Sequence, residues 1–111
     1  MQTIQMKTNR EIIINSSIDE LILETPGIYA MDLAVEVLEF IEQDTGAYVK
    51  NTGWKQGFGL EVAIGVPIRI DNLEAELATD GSEVILSRVS GSRQAFKELC
   101  NAISNNDWNH E

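Results

Sequence analysis

Leu60-Glu61-Val62-Ala63-Ile64-Gly65-Val66-Pro67-Ile68-Arg69-Ile70, followed by Asp71-Asn72 and Leu73-Glu74-Ala75-Glu76-Leu77, is the stretch that decides the fold. Leu60, Val62, Ile64, Val66, Ile68 and Ile70 occupy every second position, and an extended backbone puts such residues on one face. The spacing predicts a long strand over 60–70. Asp71 and Asn72 both tolerate positive φ and suit a two-residue hairpin loop. Closing that loop sets Ile70 against Leu73, Ile68 against Ala75, Val66 against Leu77, and the opposite charges Arg69 and Glu74 against each other. A second two-residue loop at Asp80-Gly81 would set Leu77 against Val84 and Ala75 against Leu86. Two independent turns agree on one apolar face, which predicts a three-stranded antiparallel meander.

Working outward, Ile4 and Met6 alternate with polar residues, Thr8-Asn9-Arg10 has turn chemistry, and Ile12-Ile13-Ile14 is β-branched, so an N-terminal hairpin is expected. Ser17-Ile18-Asp19-Glu20 fits a capping box and predicts a short helix over 17–24, with a strand as the competing assignment. From Ala30 the period becomes helical. Met31, Leu33, Ala34, Val37, Leu38, Phe40 and Ile41 fill about half the circumference, and Gly46 is placed for a left-handed cap. That arc is wider than one sheet contact needs, which predicts a second helix or a second subunit against it. A short strand is expected over 47–50. Ser90-Gly91-Ser92 ends the meander, and Ala95, Phe96, Leu99, Ala102 and Ile103 predict a closing helix over 93–104. The expected class is α+β: an antiparallel sheet of about four or five strands with two main helices on one face. Residues 1–104 form the single expected domain, and 105–111 a polar C-terminal tail that frays.

Composition narrows the function classes. The chain has 111 residues, one cysteine and a formal net charge of −10. An intramolecular disulfide is excluded, and no stretch is long and apolar enough to cross a membrane. The expectation is a soluble, cytoplasmic protein. Between Arg10 and Lys50 there are nine acidic residues and no basic one. Nucleic-acid affinity rests on Lys and Arg displacing counterions, so no direct nucleic-acid binding is expected and basic protein partners are favoured.

Candidate chemistry is sparse. His110, the only histidine, is one residue from the end, and Cys100 sits between apolar neighbours as a half-buried thiol, so no nucleophile and base are paired. No catalytic residue, metal or cofactor is assigned. Asp32, Glu36 and Glu39 share a helical face at i, i+4 and i+7, where carboxylates act as cation ligands, as a partner surface or as a plain solvated face. The glycine-rich loop 53–59 carries Trp54, Lys55, Gln56 and Phe58. It matches neither the phosphate-binding loop nor the dinucleotide fingerprint, and it reads either as two aromatics folded back over the end of the sheet or as an aromatic and basic contact site. Ala63, Gly65 and Pro67 leave a shallow outer face on the long strand, marking either an exposed pairing edge or a bend. Together these features predict a non-enzymatic interaction or regulatory module, homodimeric, holding a basic protein. The alternatives are a small-molecule domain with loop 53–59 as its lid, or an acidic nucleic-acid mimic that occupies a basic protein.

Overall fold

The computed structural model describes residues 12–25, 29–46, 48–49, 63, 65–106 and 108. Its elements in chain order are β1 (Ile13–Ser16), β2 (Glu20–Glu24), α1 (Tyr29–Thr45), β3 (Tyr48–Val49), β4 (Val66–Ile70), β5 (Leu73–Thr79), β6 (Glu83–Ser90) and α2 (Arg93–Ser104). The strands form one antiparallel sheet in the order β1-β2-β6-β5-β4-β3, so the α+β class holds, with six strands in place of four or five.

The hairpin at Asp71-Asn72 closes as its residues dictate. Asp71 adopts φ 51°, and Ile70, Ile68, Val66 and Arg69 face Leu73, Ala75, Leu77 and Glu74. The strand entering it is shorter than the alternation implies. Ala63 is in helical conformation, and Gly65 has φ +126°, which breaks the extended path before β4 begins at Val66. Leu60, Val62 and Ile64 lie outside the described residues. A Cβ at Gly65 would stand 2.8 Å from Glu76 Oε2, so a side chain there would require the Glu76 carboxylate to swing aside. Gly65 therefore marks a bend just before β4 starts, the second of the two readings of this face. Pro67 is one residue past Ile68, which pairs with Val49 of β3.

The second turn closes later than expected. Leu77 faces Leu86 and Thr79 faces Val84, a shift of two residues along β6. Asp80 causes it: its Oδ1 accepts from the amides of Ser82 and Glu83, both at 2.9 Å, and so centres the loop on Gly81-Ser82. Thr79 Oγ1 locks the same loop by donating to the Glu83 carbonyl at 2.6 Å. A two-residue slip preserves the face, so the core pattern survives the wrong register. Further on, Ala75 faces Arg88 while Glu74 faces Ser90, leaving Val89 as the extra residue of a β-bulge.

The 17–24 helix is not formed. Residues 20–24 are a strand whose Leu21 and Leu23 are fully buried against Leu86 and Val84. A helix would throw those two leucines to nearly opposite sides, and the unpaired side of β6 buries both in one extended strand. The N-terminal hairpin is consequently β1 with β2, turned by the Ser17 amide donating to the Glu20 carbonyl at 2.8 Å. Ile4 and Met6 lie outside the described residues.

Both helices cover the same sheet face. From α1, Leu33, Ala34, Val37, Leu38 and Ile41 join Leu21, Leu23, Val66, Ile68, Leu77, Val84 and Leu86 in one core, and α2 adds Phe96, Leu99 and Ile103. Gly46 takes the left-handed cap at φ 69°, its amide donating to the Glu42 carbonyl. Ser92 caps α2 by accepting from the Ala95 amide at 3.2 Å.

Trp108 departs from the expectation of a polar, frayed tail over 105–111, of which residues 107 and 109–111 lie outside the described residues. It is 3% exposed, its indole Nε1 donates to the Ile103 carbonyl at 2.7 Å, and its ring meets Phe40 edge-on at 5.5 Å. The extra breadth of the α1 arc is thus filled within the chain, by α2 and Trp108.

Candidate functional site

Of the residues singled out by sequence, Trp54, Lys55, Gln56 and Phe58 lie outside the described residues. Asp32 and Glu39 are exposed on α1, and Glu36 between them is half-buried. Among the described residues no three His, Cys, Asp or Glu side chains are grouped so as to hold a metal ion. Cys100 is buried rather than half-buried, and burial pushes its thiol up to about 11. His110 lies outside the described residues.

The structure draws attention to a different surface. With both helices on one side, the opposite face of the sheet carries no described element, and the strand registers sort its side chains into rows running across the strands. One row is Asn15, Ile22, Ile85 and Ala78, each facing the next across β1, β2, β6 and β5. Ile22, Ile85 and Ala78 are only half-buried. Beside that apolar row, on one side, Ile13, Glu24 and Glu83 line up. On the other side run Glu20, Ser87, Glu76 and Pro67. Successive rows are two residues apart along each strand, about 7 Å, so the flanking glutamates stand roughly 13 Å apart with the apolar row between them.

Beyond Glu76, a shallow hollow of about 290 Å³ is lined by Pro67, Arg69, Glu74, Glu76 and the bulged Val89. Val89 is 60% exposed, and Ile13 at the far edge 58%. Glu74 faces Arg69 on one side and accepts from Ser90 Oγ at 3.2 Å on the other. Among the described residues, this face sets Glu20, Glu24, Glu74, Glu76 and Glu83 against one cation, Arg69.

The electrostatics of the acidic row are coupled. Partial burial raises Glu83 above its ordinary range, helped by its hydrogen bond with Glu24 and by the charges of Asp80 and Glu24. Asp19 takes Arg88 Nε at 2.8 Å and Arg93 Nε at 3.4 Å. The Arg88 hydrogen bond holds its carboxyl below the usual range, despite partial desolvation. Arg88 Nη1 also donates to the Gly91 carbonyl, so this pair ties the β1–β2 turn to the junction of β6 and α2.

The helix assignment for 17–24 hid Ile22 from the sequence reading. The signal was present in Glu20-Leu21-Ile22-Leu23-Glu24, where two leucines alternate with an isoleucine between glutamates. A strand there splits them into a buried pair and an outer face.

Among the described residues no helix is long and apolar enough to cross a membrane. No protein-family model matches the chain, no curated protein does, and no solved structure does.

Proposed function

We propose that this chain is a protein-interaction module whose uncovered sheet face holds a basic partner protein. The observation that carries the reading is the half-buried apolar row Ile22-Ile85-Ala78, ended by Asn15 on β1 and set between rows that carry Glu24 and Glu83 on one side and Glu20 and Glu76 on the other. A contiguous apolar strip with a polar rim is the anatomy of a binding surface, and its interior contributes affinity while the rim charges set partner choice and association rate. The partner that fits presents an apolar ridge flanked by Lys or Arg. The hollow at Glu74 and Glu76 is a seat for one such basic side chain.

The arrangement favours a different protein over a second copy, since a symmetric contact through this face would set glutamates against glutamates. The α1 arc that argued for a homodimer is already occupied by α2 and Trp108. It also favours a protein over nucleic-acid mimicry: a site built for phosphates has no use for an isoleucine strip between the charges. The role is binding, and no catalytic step is assigned to the chain.

The test compares capture of a basic partner from a cell extract by the wild type, by Ile22→Ser/Ile85→Ser, by Glu74→Lys/Glu76→Lys and by Asp32→Lys/Glu39→Lys. The last pair changes net charge as much as the second but on α1. Loss of the same partner with the first two pairs and retention with the α1 pair supports the reading. Equal capture by all four, or loss only with the α1 pair, refutes it.

A further inference from the structure

A second concavity lies on the opposite side of the molecule's charge balance. Between the β1–β2 turn and α2 there is an open cleft of about 500 Å³, within the size range of small-molecule sites. Ser16 and Ser17 form one wall, and Arg93, Lys97 and Asn101 of α2 form the other. Fourteen of the described residues are Asp or Glu and four are Arg or Lys, yet two of those four line this single cleft and no carboxylate does.

The cations are available. Arg93 and Lys97 are four residues apart on a helix, which brings their side chains to within about 6 Å on one face. No hydrogen bond or ion pair joins Lys97 to a described residue, and Arg93 directs only its Nε toward Asp19, at 3.4 Å, leaving its two terminal amino groups uncommitted. The carboxylates near the rim are already engaged: Asp19 chiefly by Arg88 at 2.8 Å and more loosely by Arg93 Nε at 3.4 Å, and Glu98 by the Gln94 side-chain amide at 3.2 Å. Cys100 at the floor is a neutral thiol at physiological pH and adds no negative charge. Ile18, 68% exposed at the mouth, offers an apolar surface to the carbon part of a ligand.

We propose that this cleft binds a small organic anion through a phosphate or carboxylate group, held by the Lys97 ammonium and the Arg93 guanidinium and hydrogen-bonded by Asn101 and the Ser16 and Ser17 hydroxyls. The site is separate from the sheet face and does not depend on the protein partner proposed for it. Anions are repelled by the acidic remainder of the surface and concentrate where the two cations converge.

Amide chemical shifts followed by NMR through titrations with inorganic phosphate, citrate and sodium chloride at matched ionic strength test the proposal. Expected are saturable shifts for residues 16–18 and 93–101 with phosphate or citrate, at a Kd of about 1 mM or tighter, and no saturable response to chloride. Saturation by phosphate alone assigns the site to phosphate esters, and by citrate alone to carboxylates. Lys97→Gln weakens binding about tenfold, the effect of losing one charged hydrogen bond, whereas Lys97→Arg retains it. Shifts centred elsewhere, the same drift with chloride, or equal affinity in Lys97→Gln with its spectrum otherwise unchanged, would overturn the proposal.

Discussion

Trp108 gives the sharpest test of how this chain is closed. Its ring is 3% exposed, its indole N–H donates to the Ile103 carbonyl at 2.7 Å, and Phe40 meets it at 5.5 Å with the planes 72° apart. Replacing a buried Trp by Ala removes its transfer free energy and leaves a cavity, together about 3–5 kcal/mol. Trp108→Phe keeps most of the packing and loses the hydrogen bond. The Ile103 carbonyl still accepts from the Asn106 amide at 3.2 Å, so it is not orphaned, and the cost is about 1 kcal/mol. For a domain of this length, with total stability of about 5–15 kcal/mol, the alanine variant sits near the limit of folding and the phenylalanine variant well inside it. Urea unfolding followed by far-ultraviolet circular dichroism reads both. With a slope of about 1–3 kcal/mol per molar, Trp108→Ala lowers the midpoint by at least ~1 M and Trp108→Phe by a fraction of that. A Phe40→Leu/Trp108→Leu double-mutant cycle, in which each change removes one ring, should give a coupling of about 0.5–1.5 kcal/mol for the edge-on ring pair. If Trp108→Ala unfolds at the wild-type midpoint, Trp108 is not docked and the reasoning fails.

Gly91 and Gly81 have similar φ values, +101° and +98°, but differ in surroundings. An alanine Cβ at 91 would stand 2.4 Å from the Asn72 carbonyl oxygen, whereas at 81 it meets nothing within 4 Å. Gly81→Ala is therefore expected to cost about 1–2 kcal/mol of backbone strain and Gly91→Ala clearly more, measured by thermal unfolding; equal losses would refute the role given to the close approach. Glu83 has its folded pKa raised above its ordinary value of 4.5, so the native state holds its proton longer and stability falls as pH rises through that window. Glu83→Gln is accordingly more stable than wild type at pH 7, with the gap closing below about pH 4 in unfolding titrations. Asp80 runs the other way. The amides of Ser82 and Glu83 lower its pKa, so its stabilisation is present above 3.8 and lost as pH falls through the lower folded value. Asp80→Ala should lower the melting temperature at pH 7 and matter least in strong acid. Cys100, raised from 9.0 to about 11, should react with iodoacetamide at pH 8 at least about a hundredfold more slowly in the native protein than in urea, and equal rates would refute its burial.

Much of the architecture was legible because it depends on local rules. The helical period from Ala30, the cap at Gly46, the hairpin at Asp71-Asn72 with its four pairs, and the closing helix over 93–104 all follow from spacing and turn chemistry within a few residues. Three features were not. The second turn slipped by two residues because the Asp80 side chain, not the loop length, chose which amides to hold. Residues 20–24 became a strand because β6 had an unpaired side against which Leu21 and Leu23 could be buried together; the alternation in the pentapeptide permits a strand, but only that pairing decides it over the capping box at Ser17. Trp108 looked like part of a polar tail because Phe40, the ring it meets, is 68 positions away on α1 and is brought to it only by tertiary packing, while the Ile103 carbonyl is a local partner at the end of α2.

The candidate surfaces divide in the same way. By itself the sequence determined the acidic balance, the α+β class and the apolar face of the meander, since charge and side-chain alternation are carried by each residue wherever it lies. Only the tertiary structure decided that Ile22, Ile85 and Ala78 align between rows of glutamates, and that Arg93 and Lys97 face Ser16 and Ser17 across a cleft. Those groupings join residues as much as 85 positions apart, from Ser16 to Asn101, and only the pairing order of the strands and the docking of α2 bring them together.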